Sequence, residues 1–140
     1  VRPGLFTLSV QRGASLCLDL PIRNDDGTAW DLTGYQAKLR VYDKERTVVL
    51  SLDATEGTPT PQLTVHASKA VFIDGEMVTT GVVELDLNTS TTDQLGQDES
   101  QAMANNSGPL RYQLDIVEGG TDKTTRTHVG EVMVYNGRLA

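Results

Sequence analysis

The chain of 140 residues carries 19 acidic against 12 basic side chains, a formal net charge of −7 at pH 7. Nucleic acid and anionic membrane surfaces are held through clustered Lys and Arg, and no such cluster occurs, so the charge pattern argues against both partners. Hydrophobic residues make up 38% and aromatics 5%, which calls for an aliphatic core, and no run of apolar residues is long enough for a transmembrane helix.

A chain of this length fits one domain, expected over residues 1–140, that buries roughly two thirds of its unfolded surface. Leu5 to Val10 mixes apolar and polar residues as a first strand does, and Gln11-Arg12-Gly13 turns the chain. Leu16, Leu18, Leu20 and Ile22 then recur every second residue, placing four apolar side chains on one strand face. Pro21 cannot donate to a ladder, so this strand, Ala14 to Arg23, belongs at an edge or carries a bulge. Cys17 falls on the opposite face. Being the one cysteine, it rules out an intrachain disulfide and suits synthesis in a reducing cytoplasm. The N-terminal residues lack the charged-then-apolar layout of a signal peptide.

Asp26-Gly27 predicts the central pair of a type I′ turn, with positive φ at both residues. Trp30 has the chemistry of an exposed sugar-stacking platform, but it lies between that turn and the apolar corner Asp31-Leu32-Thr33-Gly34-Tyr35, and burial is expected. From Tyr35 to Tyr42 alternation points Ala37, Leu39 and Val41 inward and Gln36, Lys38 and Arg40 outward. A charged turn at Asp43 to Arg46 leads into a returning strand, Val48 to Leu52. Residues 53–61, with Pro59 and Pro61, read as an exposed loop. Gln62 to Ala67 and Ala70 to Ile73 are short alternating segments, and Asp74-Gly75 is the second hairpin signal.

Gly81 to Leu87 sets Val83, Leu85 and Leu87 against Val82, Glu84 and Asp86. Thr91 to Leu95 permits one helical turn, capped by Ser90 or Thr91. Residues 97–108 are polar and are expected to be mobile until a partner orders them. Tyr112, Leu114 and Ile116 point inward from a strand over Leu110 to Glu118. Gly119-Gly120 turns the chain into a last strand, Thr124 to Tyr135, with Gly130, Val132 and Val134 on one face. Eight or nine short strands with at most one short helical turn specify an all-β fold, a sandwich or barrel of antiparallel strands.

Chemistry-bearing motifs are absent. No Gly-x-Ser-x-Gly, Walker-type loop, His-Glu-x-x-His or Gly-x-Gly-x-x-Gly occurs, so no catalytic, cofactor-binding or metal-binding residue is assigned and no enzyme is expected. Asn24-Asp25-Asp26-Gly27 has the composition of a calcium loop, but the carboxylates are contiguous and the twelfth position holds Tyr35 instead of Glu. Asx chemistry in a hairpin turn is the simpler reading. His66 and His128 sit in strand-like segments without a zinc-ligand spacing, and solvent-facing positions are expected for both.

Several stretches in order resemble the immunoglobulin-like domain of tailed-bacteriophage virion proteins, known from the N-terminus of baseplate upper proteins and from small tail proteins. They are Leu8-Ser-Val-Gln-Arg-Gly13, the Asp25-Asp26-Gly27 turn with Ala29 to Tyr35, the segment Val83 to Leu95, Leu110-Arg-Tyr-Gln-Leu-Asp-Ile116, and Gly130 to Val134. The resemblance spans Thr7 to Tyr135 and departs at two extensions, residues 58–80 and 97–108. It implies an immunoglobulin-like antiparallel β-sandwich and a structural, non-enzymatic role in the tail or baseplate of a virion, after synthesis in the host cytoplasm. Its partners would be other virion proteins in a symmetric, multi-copy assembly. A neck or tail-fibre adaptor and a capsid decoration protein are variants of this role, and a glycan-binding module for the host surface is an alternative of another class. The extensions, as extended loops or an extra hairpin, hold Val71, Phe72, Met77 and Met103. Exposed apolar side chains on loops of a rigid scaffold mark these as the expected partner interface.

Overall fold

The computed structural model of the chain describes residues 4–5, 7–11, 13–24, 26–43, 45–58, 60–95, 110–121 and 123–135. Nine strands occur among these residues, in chain order: β1 (Gly4–Leu5), β2 (Leu8–Gln11), β3 (Leu16–Ile22), β4 (Gln36–Tyr42), β5 (Val48–Thr55), β6 (Leu63–Ile73), β7 (Glu76–Leu87), β8 (Leu110–Val117) and β9 (Thr124–Tyr135). Among the described residues there is one short helix, α1, over residues 89–95.

Alternation builds both sheets. Ala37, Leu39 and Val41 of β4 and Leu110, Tyr112, Leu114 and Ile116 of β8 are buried, and the two strands pair antiparallel with Leu39 opposite Leu114. β5 extends this sheet beyond β4, and β9 extends it beyond β8. β1 and β2 join the far edge of β9 in parallel and in one register, Gly4 opposite His128 and Leu8 opposite Val132, so they are two pieces of one strand. The facing sheet has the order β3-β7-β6. Val83, Leu85 and Leu87 of its central strand are buried against the first sheet together with Leu20, Ile22, Leu63 and Val65. Leu18, expected in this core, is only partly buried against it.

This is an immunoglobulin-like sandwich. In chain order the strands take the places A′, B, C, C′, D, E, F and G, with A′GFCC′ facing BED. Tyr112, near the start of β8, occupies the place where such folds keep a buried tyrosine, and burial pushes its phenol up to about 12. Cys17 is exposed, so the inter-sheet contact that a disulfide makes in antibody domains is aliphatic here. Pro21 lies in β3, which pairs with β7 alone, and thus on a sheet edge as its missing N–H requires.

Four local expectations are corrected. Asp26 does not adopt positive φ; Gly27 alone does, at 85°. Asn24 N donates to Thr28 O, and Gly27 N to Asn24 O, so three residues separate the paired ends and Gly27 supplies the left-handed position that follows a tight turn. Asp26 Oδ1 accepts from both the N and Oγ1 of Thr28, which leaves that carboxylate closing the turn. The cap of α1 is Asn88, two residues before Ser90 and three before Thr91, because Asn88 Oδ1 accepts from Thr91 N. Trp30 is half-buried. His128 faces inward opposite Leu114, because it shares the phase of buried Val132; a bulge at Thr127 sets that phase, with Thr127 Oγ1 donating to Leu114 O.

The β4–β5 turn repeats the Asn24–Thr28 geometry. Asp43 N donates to Thr47 O and Arg46 N to Asp43 O, which places Arg46 at φ 64°, where Gly27 stands in the first turn. A side chain in the left-handed region costs about 1–2 kcal/mol. Arg46→Gly should therefore raise stability by about 0.5–1 kcal/mol in urea unfolding, while Gly27→Val should lower it by about 1–3 kcal/mol. The reverse order would mean that the two turns are not the twins their hydrogen bonds describe.

Burial holds His128 down to about 4 from an ordinary 6.5. Between those values the unfolded chain takes up a proton that the folded protein refuses. Stability is thus fully present above pH 6.5 and is lost as pH falls toward 4, by on the order of 2–3 kcal/mol. His128→Gln should flatten the slope of unfolding free energy across that window. An unchanged slope in the variant would place the acid sensitivity elsewhere.

Candidate functional site

One end of the sandwich gathers the β3–β4 loop, the β6–β7 hairpin and the β8–β9 turn. The reason lies in the register. Ile22, the last residue of β3, pairs with Gly81, and β7 continues five pairs beyond that point with β6 alone, from Lys69 opposite Thr80 to Ile73 opposite Glu76. At ~3.3 Å per residue this two-stranded ribbon extends roughly 15 Å past the third strand. Asp74 and Gly75 close its tip at φ 51° and 87°, the two positive values that a two-residue hairpin turn demands.

Residues 58–80, read from sequence as extended loop or extra hairpin, are thus largely a hairpin continuous with the sheet. Phe72 lies opposite Met77, and the pair is 70% and 66% exposed. Val71, opposite Val78 on the other face of the ribbon, is half-buried. Of the four expected interface residues, Phe72 and Met77 therefore share one face of the ribbon, and Val71 lies on the other. Met103 and the rest of residues 97–108 lie outside the described residues.

The base of the ribbon is fastened on both sides. On the outer sheet face, Lys69 Nζ donates to Asp19 at 3.1 Å and to Glu84 at 3.3 Å, and His66 Nε2 stands 3.0 Å from Glu84. Hydrogen bonds from His66 and Lys69 lower the Glu84 carboxyl, and the bond to Asp19 raises Lys69. His66 thus occupies the outer face as expected. These partly exposed pairs contribute modestly. Neighbouring Cys17 is tuned away from nucleophilic use, since desolvation and then Asp86, Glu84 and Asp19 raise its thiol. Among the described residues, no three His, Cys, Asp or Glu are gathered where they could hold a metal ion.

On the inner side the β3–β4 loop crosses the ribbon's foot. Trp30 N donates to Thr80 Oγ1 at 3.0 Å, Gly81 N to Trp30 O at 2.7 Å, and Leu32 N to Ala67 O at 3.1 Å. The last bond explains why the register shifts between His66 and Lys69: a bulge in β6 turns the Ala67 carbonyl to the loop. Beyond the crossing, Trp30 meets Tyr35 edge to face with ring centroids 6.1 Å apart. These rings line a cleft together with Glu118, Lys123, Thr125 and Arg126. Sequence reasoning weighed Trp30 alone and did not find this cleft.

No family model matches the chain, and no curated protein matches it. Among solved structures it is similar to the extracellular domain of the voltage-gated sodium channel β4 subunit, described as a parallel homodimer with a role in cell–cell adhesion. That similarity has 11% identity and a TM-score of 0.40, over 100% of this chain and 93% of that one. The immunoglobulin-like assignment rests on the strand order itself.

A Cβ on Gly81 would fall 2.5 Å from both the Trp30 carbonyl oxygen and Leu32 Cγ. Gly81→Ala should therefore displace the crossing loop and cost several kcal/mol, about 2–5, by exposing Leu32. Chemical denaturation measures the loss, and hydrogen exchange should show that the amides of Trp30 and Leu32 lose protection first. Retention of both amides' protection would mean that the crossing does not depend on this close approach.

Proposed function

We propose that this chain is a non-enzymatic structural domain that joins a larger assembly by laying its β6–β7 ribbon against a neighbouring protein. The observation that carries this reading is the exposed Phe72–Met77 pair on a ribbon that outruns its sheet. Large apolar side chains held rigidly in solvent are typical of a protein-binding surface, and full cover of each would contribute about 1.5–3 kcal/mol. The edges support the same reading, because among the described residues β7 pairs over 76–80 with β6 only, which offers its other edge for strand addition.

The assembly proposed is the virion of a tailed bacteriophage, with the tail or baseplate as the place. That part rests on the resemblance of Leu8–Gly13, Ala29–Tyr35, Val83–Leu95, Leu110–Ile116 and Gly130–Val134 to the virion immunoglobulin-like domains. Other virion proteins would be the partners, in multiple copies, and the mature location would be the particle after synthesis in the host cytoplasm. A neck or tail-fibre adaptor or a capsid decoration protein would use the same ribbon.

Phe72→Ser with Met77→Ser should leave the melting temperature of the isolated chain within a few degrees, since both side chains are exposed. The same double variant should weaken association with the assembly by roughly 10- to 100-fold per side chain, read as loss of the protein from purified particles. Normal incorporation would remove the ribbon from the interface. Absence of the wild-type chain from any particle would remove the virion reading.

A further inference from the structure

The cleft beside the ribbon's foot has about 430 Å³ of open space, within the range of small-ligand sites. Its walls come from distant parts of the chain. Gln36 pairs with Val117, so the start of β4 brings Tyr35 beside the β8–β9 turn, and Gly119 packs without a side chain on the Gly34 carbonyl. Trp30 and Tyr35, at an interplanar angle of 89°, form an apolar corner with two perpendicular walls.

The polar lining is balanced in charge. Arg126 Nε donates to Asp115 at 2.9 Å, which neutralises that cation. Glu118 and Lys123 are held across the turn by a backbone bond from Glu118 N to Lys123 O. Among the described residues, neither side chain lies within ion-pair distance of an opposite charge. Among the described lining residues the cleft therefore offers one acceptor-only carboxylate, one donor-only ammonium and the Thr125 hydroxyl, which does both, with no net charge left over among them. An anionic or cationic ligand would meet a like charge as readily as an opposite one.

A ligand that fits has a flat C–H face for an aromatic wall and hydroxyls that donate to Glu118 and accept from Lys123. From this we propose that the cleft is a subsite for an uncharged pyranose unit of a glycan. The assignment is independent of the ribbon and of what the ribbon binds.

Trp30 is the chain's one tryptophan, so intrinsic fluorescence reports on the cleft directly. The full chain is titrated with neutral trisaccharides of glucose, galactose and N-acetylglucosamine, with trigalacturonate as the anionic comparator and an acidic hexapeptide as the protein comparator. At least one neutral trisaccharide should shift the emission saturably and more tightly than either comparator. Glu118→Ala with Lys123→Ala should weaken that binding about tenfold, the loss of one or two hydrogen bonds to charged groups, without moving the melting temperature. Glu118→Gln should lose less than Glu118→Ala. A flat response to every neutral trisaccharide, tighter binding of either comparator, or undiminished affinity in the double variant would each overturn the assignment.

Discussion

The missing side chain at Gly81 is the constraint on which this end of the molecule depends. The space a Cβ would fill is occupied by the Trp30 carbonyl and by Leu32, so the loop leaving β3 can cross β7 at contact distance. By crossing, it bonds in turn to β7 through Gly81 and to β6 through Ala67. Leu32, fully buried by the crossing, contributes about 1.5–3 kcal/mol of apolar burial and closes the core. Thr80 adds a polar stitch, accepting from Trp30 N and donating to the Ile22 carbonyl. The sandwich ends here and the ribbon begins here, for the same reason. Among the described residues, what lies beyond Thr80 pairs with no third strand.

Where one face of a strand is apolar and the other polar, the sequence was legible to the residue. β4 and β8 show this, with Ala37, Leu39, Val41, Tyr112, Leu114 and Ile116 all buried as alternation requires. Legibility failed where a long-range bond altered the period. Gln62–Ala67 and Ala70–Ile73 read as two segments because the bulge that presents Ala67 to Leu32 puts two residues out of phase. The start of β7 was hidden similarly. Met77, Val78, Thr79 and Thr80 do not alternate in hydrophobicity, since the covered face of the ribbon, with Val71, Val78 and Thr80, is only partly buried and takes a threonine at its foot.

The two Asp-Gly pairs show the limit of a local signal. Asp74-Gly75 takes positive φ at both residues, and Asp26-Gly27 at the glycine alone. The dipeptide is the same; the number of residues between paired strand ends is not. Side chains outside the pair decide it, with Asn24 Nδ2 donating to Thr28 Oγ1 and the Ala29 carbonyl and Arg23 donating to the Gly27 carbonyl. The cleft was beyond local reading altogether. Tyr35 and Glu118 are neighbours only because β4 and β8 are adjacent in the sheet, a fact that follows from the strand order and from no spacing in the sequence.

A sandwich of this kind has open edges, and how each is treated separates scaffold from binding surface. The edge of β3 carries Pro21, which cannot extend a ladder, and β5 carries Asp53, ion-paired to Arg40 at 2.7 Å. Such devices prevent strands from pairing with other chains. Between Lys69 and Gly81 there is no proline and no basic residue, and the acidic pair Asp74 and Glu76 sits only at the tip. A ribbon with unprotected edges and two exposed apolar side chains is an aggregation hazard unless a partner covers it. The hydrogen bonds and ion pairs that fix its base hold it extended in a defined direction. A segment left unprotected and already paired in an extended hairpin has part of the order that docking would otherwise have to impose, which reduces the entropic cost of association.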